Sequence, residues 1–183
     1  MQSATTQPIT AWEAEAVARF AAGDTDILVL PRHDFASLGE IGQTGRVQEY
    51  WSMVRRDTID RELRFGLNEL QVRSPDLAAD VAGLVTSFLD QFNLQQAKLR
   101  VEITRSQSCP KFHCDNVNVR LVTTYFGPTT EYQYAGDEAA HKAPLYGLVF
   151  LKGRRHSTHG ESVYHRSPKV PSGEKRLCVA IDY

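Results

Sequence analysis

Cys109-Pro110-Lys111-Phe112-His113-Cys114-Asp115-Asn116-Val117-Asn118-Val119-Arg120-Leu121 sets a histidine and a carboxylate two residues apart at the head of an apolar strand. Residues i and i+2 of a strand point to one face, so His113 and Asp115 can converge on one point. Downstream, Val119, Leu121, Thr123 and Tyr125 alternate with Arg120, Val122, Thr124 and Phe126, until Gly127-Pro128 ends the strand. Upstream, Leu99, Val101 and Ile103 alternate with Arg100, Glu102 and Thr104, which reads as a half-buried strand from Ala97. Short strands are expected again at 145–151, 162–165 and 175–181, separated by Gly153, Gly160 and the Pro168/Pro171/Gly173 turn. Polar residues 128–144 read as a loop, and its Tyr132, Tyr134 and His141 are candidates to line a pocket, because loops carry binding groups.

The first half of the chain reads differently. Residues 1–9 are a polar tail, and Ala11–Phe20 is expected to be a helix with Thr10 as N-cap, Glu13 three residues on and Gly23 as its stop. Asp26–Leu30 is a short extended segment closed by Pro31, and His33 beyond it reads as a surface or capping residue. Residues 46–71 hold two candidate helices with a solvated charged face. The best helix opens at Ser74-Pro75, carries Leu77, Val81, Leu84 and Phe88 at helical spacing and ends near Asn93. Helices leading and short strands following imply an α+β chain, a β-sandwich or barrel with helices packed outside. We read one domain over 1–183: tail 1–9, mainly helical support 10–95, and a β core with the candidate site over 96–183.

Composition limits the partners. With 183 residues, 42% hydrophobic and 23% charged, the chain is ordinary globular material. A net charge of -1 gives no electrostatic case for nucleic acid or an anionic membrane. Cys109, Cys114 and Cys178 are too few, and odd in number, for a disulfide framework. The first residues lack the basic region and apolar run of a signal peptide, so a reduced cytoplasmic protein is expected. There is no GxSxG elbow, P-loop or GxGxxG.

The chemistry therefore rests on the opening stretch. His165 ends Val163-Tyr164-His165, 52 residues after His113, which leaves room for intervening strands to bring it alongside, as a jelly roll allows. Two histidines and one carboxylate on β-structure are the ligand set of non-haem Fe(II) oxygenases, with positions left open for co-substrate and O₂. Arg176 opens the next strand, where a guanidinium can clamp the carboxylate of a keto acid. Pairing with Glu174 at the surface is the plainer alternative for Arg176. Arg120, Arg166 and Tyr132 are the candidate substrate-binding residues, although Arg120 is expected to point away from the metal. A zinc alternative uses Cys109, His113 and Cys114 with His165, but it lacks a CxxC knuckle, and His113 and Cys114 alternate faces. His156 and His159 read as solvated loop residues.

Phe112-His113-Cys114-Asp115, Arg120–Glu131, Leu151-Lys152-Gly153 and His165-Arg166-Ser167-Pro168 together resemble the bacterial family called domain of unknown function eighteen twenty-six, over roughly residues 98–182. That resemblance implies a cytosolic bacterial protein associated with zinc homeostasis. More distantly, the order His113, Asp115, His165, Arg176 is similar to that of the 2-oxoglutarate/Fe(II) dioxygenases. This likeness implies a double-stranded β-helix (jelly-roll, cupin-like) core, iron on His113, Asp115 and His165, and the 2-oxoglutarate C5 carboxylate on Arg176, with Tyr125 assisting. Three readings stay open: a dioxygenase hydroxylating a small-molecule or peptide substrate, a non-catalytic metal-binding protein of zinc homeostasis, and a cupin-like metalloenzyme that does not use 2-oxoglutarate.

Overall fold

Alternation of side chains builds short antiparallel strands that carry the second half of this chain. The computed structural model describes residues 11–32, 38, 40–41 and 48–183. The tail 1–9, the cap residue Thr10 and His33 lie outside them. Three helices are described: α1 (Ala14–Ala22), α2 (Ile59–Glu69) and α3 (Pro75–Gln91). A six-stranded sheet runs in the order β1 (Ile27–Leu30), β9 (Leu148–Lys152), β6 (Val119–Phe126), β11 (Arg176–Asp182), β5 (Ala97–Thr104), β3 (Glu49–Val54), every neighbouring pair antiparallel. A three-stranded sheet runs β10 (Val163–Arg166), β7 (Glu131–Tyr134), β8 (His141–Lys142), and β2 (Glu40–Ile41) pairs with β4 (Val72–Arg73).

Period two sorts each central strand into two faces. Leu99, Val101, Leu121, Tyr125, Leu177, Val179 and Ile181 face the helices, in one core with Leu77, Val81, Leu84 and Phe88 of α3. Those four α3 side chains are fully buried, each stabilising by roughly 2 kcal/mol. Helix α3 starts where expected: Ser74 Oγ accepts the Leu77 N–H at 3.2 Å and Pro75 takes the first position. On the other face, Val122, Val149, Leu151 and Cys178 pack with Val163 of β10, so the two larger sheets meet through an apolar seam. Toward β11 and β5 this inner face turns polar, and the candidate site lies there.

Four expectations change. Helix α1 begins at Ala14 with Glu13 as its N-cap, not at Ala11. The Ala11 N–H is taken by Ser87 Oγ and the Trp12 indole N–H by Gln91, while Trp12 meets Phe150 edge-on at 5.0 Å, and these tertiary contacts hold both residues out of the helix. The first of the two candidate helices in 46–71 is strand β3. Its residues pair with β5 along their whole length, and only α2 is helical. Residues 128–144 include β7 and β8, because Tyr132 and Tyr134 alternate with Glu131 and Gln133 beside β10. Finally, β1 and β3 come from the first half of the chain yet form the outer strands of the main sheet. No helix among the described residues is long and apolar enough to cross a membrane.

Candidate metal centre

His113 and His165 exchange both backbone hydrogen bonds at 3.0 Å, a single antiparallel bridge beside β10. The ring centroids lie 4.5 Å apart. His113 Nδ1 is 2.9 Å from the Lys111 carbonyl, which can only accept, so that nitrogen carries the proton and Nε2 presents its lone pair. This Nε2 lies 3.5 Å from Asp115 Oδ1, and His165 Nε2 lies 3.0 Å from Asp115 Oδ2. One ligand atom from each of His113, Asp115 and His165 falls within 4.8 Å of the others, so the three form a group able to hold a metal ion. A carbonyl that holds the far ring nitrogen in this way fixes the tautomer and the ring orientation that a ligating imidazole requires.

The group sits in a cavity of about 220 Å³. Its floor is the inner face of β5, β6 and β11: Arg100, Glu102, Arg120, Val122, Arg176, Cys178 and Ala180. Arg120 does not point away from the site. Register places it directly across from Asp182, which it grips through Nε and Nη2 at 2.6 Å each, while Nη1 holds Asp115 Oδ2 at 2.6 Å. With both carboxylates engaged, Arg120 serves the scaffold of the site and is not free to bind substrate.

Arg176 reaches the same cavity from the other end of β11 and is 3% exposed, so the surface pairing with Glu174 does not occur. Its Nε donates to the Pro128 carbonyl at 3.0 Å and its Nη2 to Thr130 Oγ1 at 2.9 Å, with Thr124 Oγ1 at 3.5 Å. No carboxylate among the described residues lies within ion-pair distance of it. The turn that delivers Pro128 depends on Gly127, whose φ of +79° no β-carbon would allow, since that carbon would sit 2.1 Å from the Lys175 carbonyl.

The remaining candidates separate clearly. Arg166 lines the cavity rim, pairs with Glu131 at 2.7 Å and stacks on Phe112 at 4.3 Å. Tyr132 lies directly across from His165 and packs on the inner apolar seam. Tyr125, expected near the cofactor, is on the wrong face: its odd position points it at the helices, where it is fully buried and its hydroxyl donates to Asp80. Cys109 Sγ lies 3.6 Å from His113 Nδ1, but the buried Cys114 donates to the Val163 carbonyl, so the two sulfurs do not gather into a zinc set. His159 is not solvated, since its ring is 6% exposed beside Asp26, and His156 Nδ1 accepts the Thr158 N–H. Asp182 and Thr130 escaped sequence reasoning, although the parity of β11 already put Asp182 on the same face as Arg176.

Residues 40–182 match the family described as protein of unknown function (DUF1826). The chain belongs to that family. No curated protein matches it. Among solved structures, it is similar to a Pseudomonas putida prolyl-4-hydroxylase at 12% identity, covering 92% of this chain and 96% of that one, with a TM-score of 0.46. A dioxygenase for auxin oxidation from Arabidopsis thaliana, in its 2-oxoglutarate complex, shares 11% identity over 80% of this chain and 68% of that one, at 0.46. A collagen prolyl hydroxylase of Paramecium Bursaria Chlorella virus-1, also a 2-oxoglutarate complex, shares 9% identity over 73% and 94%, at 0.41. All three TM-scores fall below 0.5, and the site of this family member is read from its own geometry.

Electrostatics keep the group ready for a cation. Burial raises the Asp115 pKa, but the His165 hydrogen bond and the charge of Arg120 outweigh it and hold the carboxyl at about 2, against its ordinary 3.8. Burial likewise disfavours the Arg120 charge, and Asp182 and Asp115 more than restore it. Because the folded-state value of Asp115 lies below the unfolded one, its stabilisation is complete above about pH 4 and fades as pH falls toward 2, about 2 kcal/mol in all. Urea unfolding of metal-free protein at about pH 5 and about pH 2.5 should show this loss, reduced by that amount in Asp115→Asn. Equal pH dependence in both proteins would remove Asp115 from the account.

Proposed function

We propose that this chain is a 2-oxoglutarate-dependent Fe(II) oxygenase, built on a double-stranded β-helix with the six-stranded and three-stranded sheets as its walls. The observation that carries the reading is one cavity with a His113–Asp115–His165 group at one end and, at the other, the buried guanidinium of Arg176 with no carboxylate of the described residues within ion-pair distance. A desolvated, unpaired cation is costly, so a site that keeps one is suited to an anionic ligand. The donor set of two imidazoles and a carboxylate fits Fe(II) and leaves coordination positions free. Iron bound there supplies the chemistry that couples decarboxylation of a keto acid by O₂ to oxidation of a second substrate.

The chain's own residues do the rest. Arg120 holds Asp115 Oδ2 and so fixes the carboxylate between His113 and His165, where the three side chains would hold the metal. Lys111 fixes the His113 ring through its carbonyl. Arg176, steadied by Pro128 and Thr130, receives the distal carboxylate of the keto acid, and its planar fork matches that group. Val122, Cys178 and Ala180 form the small apolar part of a floor that is otherwise lined by Arg100, Glu102 and Arg120. Three free thiols suit the reducing cytoplasm in which we place the enzyme.

Anaerobic addition of Fe(II) and then 2-oxoglutarate tests the reading. A visible metal-to-ligand charge-transfer band should appear with both present and with neither alone. Iron-loaded protein that gives no band with excess 2-oxoglutarate would rule the reading out.

A further inference from the structure

The inner face of the main sheet does not stop at the cavity. Cross-strand register carries it outward in rows, and one row runs Val122, Ala180, Arg100, Trp51, from β6 across β11 and β5 to β3. Its first three members floor the cavity. Trp51 is the next step, on the same face, and is 59% exposed, with Lys98 Nζ 4.9 Å from its ring centroid. Met53, paired with Lys98 in the adjacent row, is 47% exposed. Trp51 and Met53 therefore make an exposed apolar shelf at the edge of the sheet, joined to the floor of the site through Arg100 and flanked by Lys98 and Glu49.

That edge is open. β3 ends the strand order, and among the described residues nothing pairs with its outer side. The Ile103 N–H donates to the Gln48 carbonyl, which makes Gln48 and Ile103 a hydrogen-bonded pair. Such pairs alternate along an antiparallel ladder, so Tyr50 and Ser52 also bond inward. Glu49, Trp51 and Met53 then turn their N–H and carbonyl groups outward. The residues whose side chains form the shelf are thus the ones whose backbone faces outward, with the Met53 carbonyl also accepting from Ser52 Oγ at 3.4 Å. Edge strands are ordinarily guarded by lysine, proline or a bulge, and β3 has none of these between Glu49 and Val54.

Cavity size selects the occupant. About 220 Å³ is below the usual range for pockets that engulf a whole ligand, and on the reading above the keto acid takes that space. The second substrate then approaches from outside the cavity, and the shelf is an exposed apolar surface that adjoins its floor.

We propose that the substrate is a polypeptide with an extended segment that adds to the outer edge of β3 and rests an apolar side chain on Trp51 and Met53, while the chain beyond the paired residues crosses the sheet over Arg100 and brings its reacting residue toward His113 and His165. The mode is β-augmentation, with main-chain bonds for affinity and the shelf for selectivity. This inference rests on the oxygenase reading for its placement of the keto acid, while the edge itself does not.

The test uses full-length protein loaded anaerobically with Fe(II) and 2-oxoglutarate as bait for a random-peptide display library. Enriched peptides, made with a fluorescent label, are titrated against wild type, Met53→Pro and Trp51→Ala. Proline at position 53 removes an outward N–H and leaves the ladder to β5 intact, since that N–H makes no bond there. Both variants should bind at least about tenfold more weakly, the equivalent of one lost main-chain bond or apolar contact. Both should retain the charge-transfer band, which separates loss of the edge from loss of the site or the fold. Absence of enriched peptides, or peptides that bind both variants as tightly as wild type, would overturn the proposal. So would wild-type dimers in sedimentation that Met53→Pro dissociates, because the edge would then belong to a second copy. A missing band in wild type, by contrast, would sink the oxygenase reading while leaving the peptide titration interpretable.

Discussion

Arg176→Met is expected to lower 2-oxoglutarate affinity at least about a hundredfold while leaving the ligand-free fold as stable as wild type or more so. A buried bidentate guanidinium–carboxylate contact is worth several kcal/mol once one partner is removed, which sets the size of the loss. Stability should move the other way for a reason specific to this side chain. The guanidinium is 3% exposed, and among the described residues its hydrogen bonds go to neutral acceptors, Pro128, Thr130 and Thr124, with the Glu102 carboxylate acting on it only from beyond ion-pair distance. Keeping a charge desolvated without a carboxylate costs several kcal/mol, whereas each acceptor released by methionine costs about 1 kcal/mol. Methionine also matches the apolar length of the arginine stem. Thermal melts without ligand and calorimetric titration of iron-loaded protein with 2-oxoglutarate measure the two halves. Lower stability together with unchanged 2-oxoglutarate affinity would mean that Arg176 is a structural residue.

Gly153→Ala is expected to destabilise the protein by about 2–4 kcal/mol and to weaken metal binding at least about tenfold, although Gly153 touches no metal. An added Cβ would stand 2.2 Å from the Val117 carbonyl oxygen and 2.8 Å from that of Asp115. Both obstacles are backbone, so no rotamer change relieves them. The same segment is tied to this turn by the Gly153 N–H to Asn118, the Arg154 N–H to Asp115 and the Arg155 N–H to Val117. Relief must therefore shift the chain that carries Asp115 against a His165 fixed on β10. Denaturant unfolding and Fe(II) titration check the two effects, and an alanine variant with wild-type metal affinity would show that the segment positions nothing.

What could be read in advance follows from how local the physics is. The His113–Asp115 pair, the strands β5, β6 and β11, and the Ser74-Pro75 start of α3 are carried by period-two and period-3.6 patterns and by one capping side chain, all short in sequence. The first turns of α1 were misplaced because Ala11 and Trp12 answer to Ser87, Gln91 and Phe150, which no local pattern announces. β3 looked helical because Arg55 and the charges after it resemble a helix face, while its actual pairing is with β5, more than 40 residues on. The likeness to dioxygenases gives Tyr125 a cofactor role, whereas its parity with Leu121 places it on the helix side of the sheet. The position of Arg120 turned on Asp182, at the far end of the chain, and only sheet register brings the two together.

The central claim is that His113, Asp115 and His165 bind one metal ion in the cavity that ends at Arg176. Anaerobic isothermal titration of the metal-free protein with Fe(II) tests it most directly, in wild type and in His113→Ala, Asp115→Ala and His165→Ala. One site per chain in wild type, and affinity reduced at least about a hundredfold in each variant with the fold intact by circular dichroism, is the predicted result. Wild-type affinity in any of the three folded variants would contradict the account.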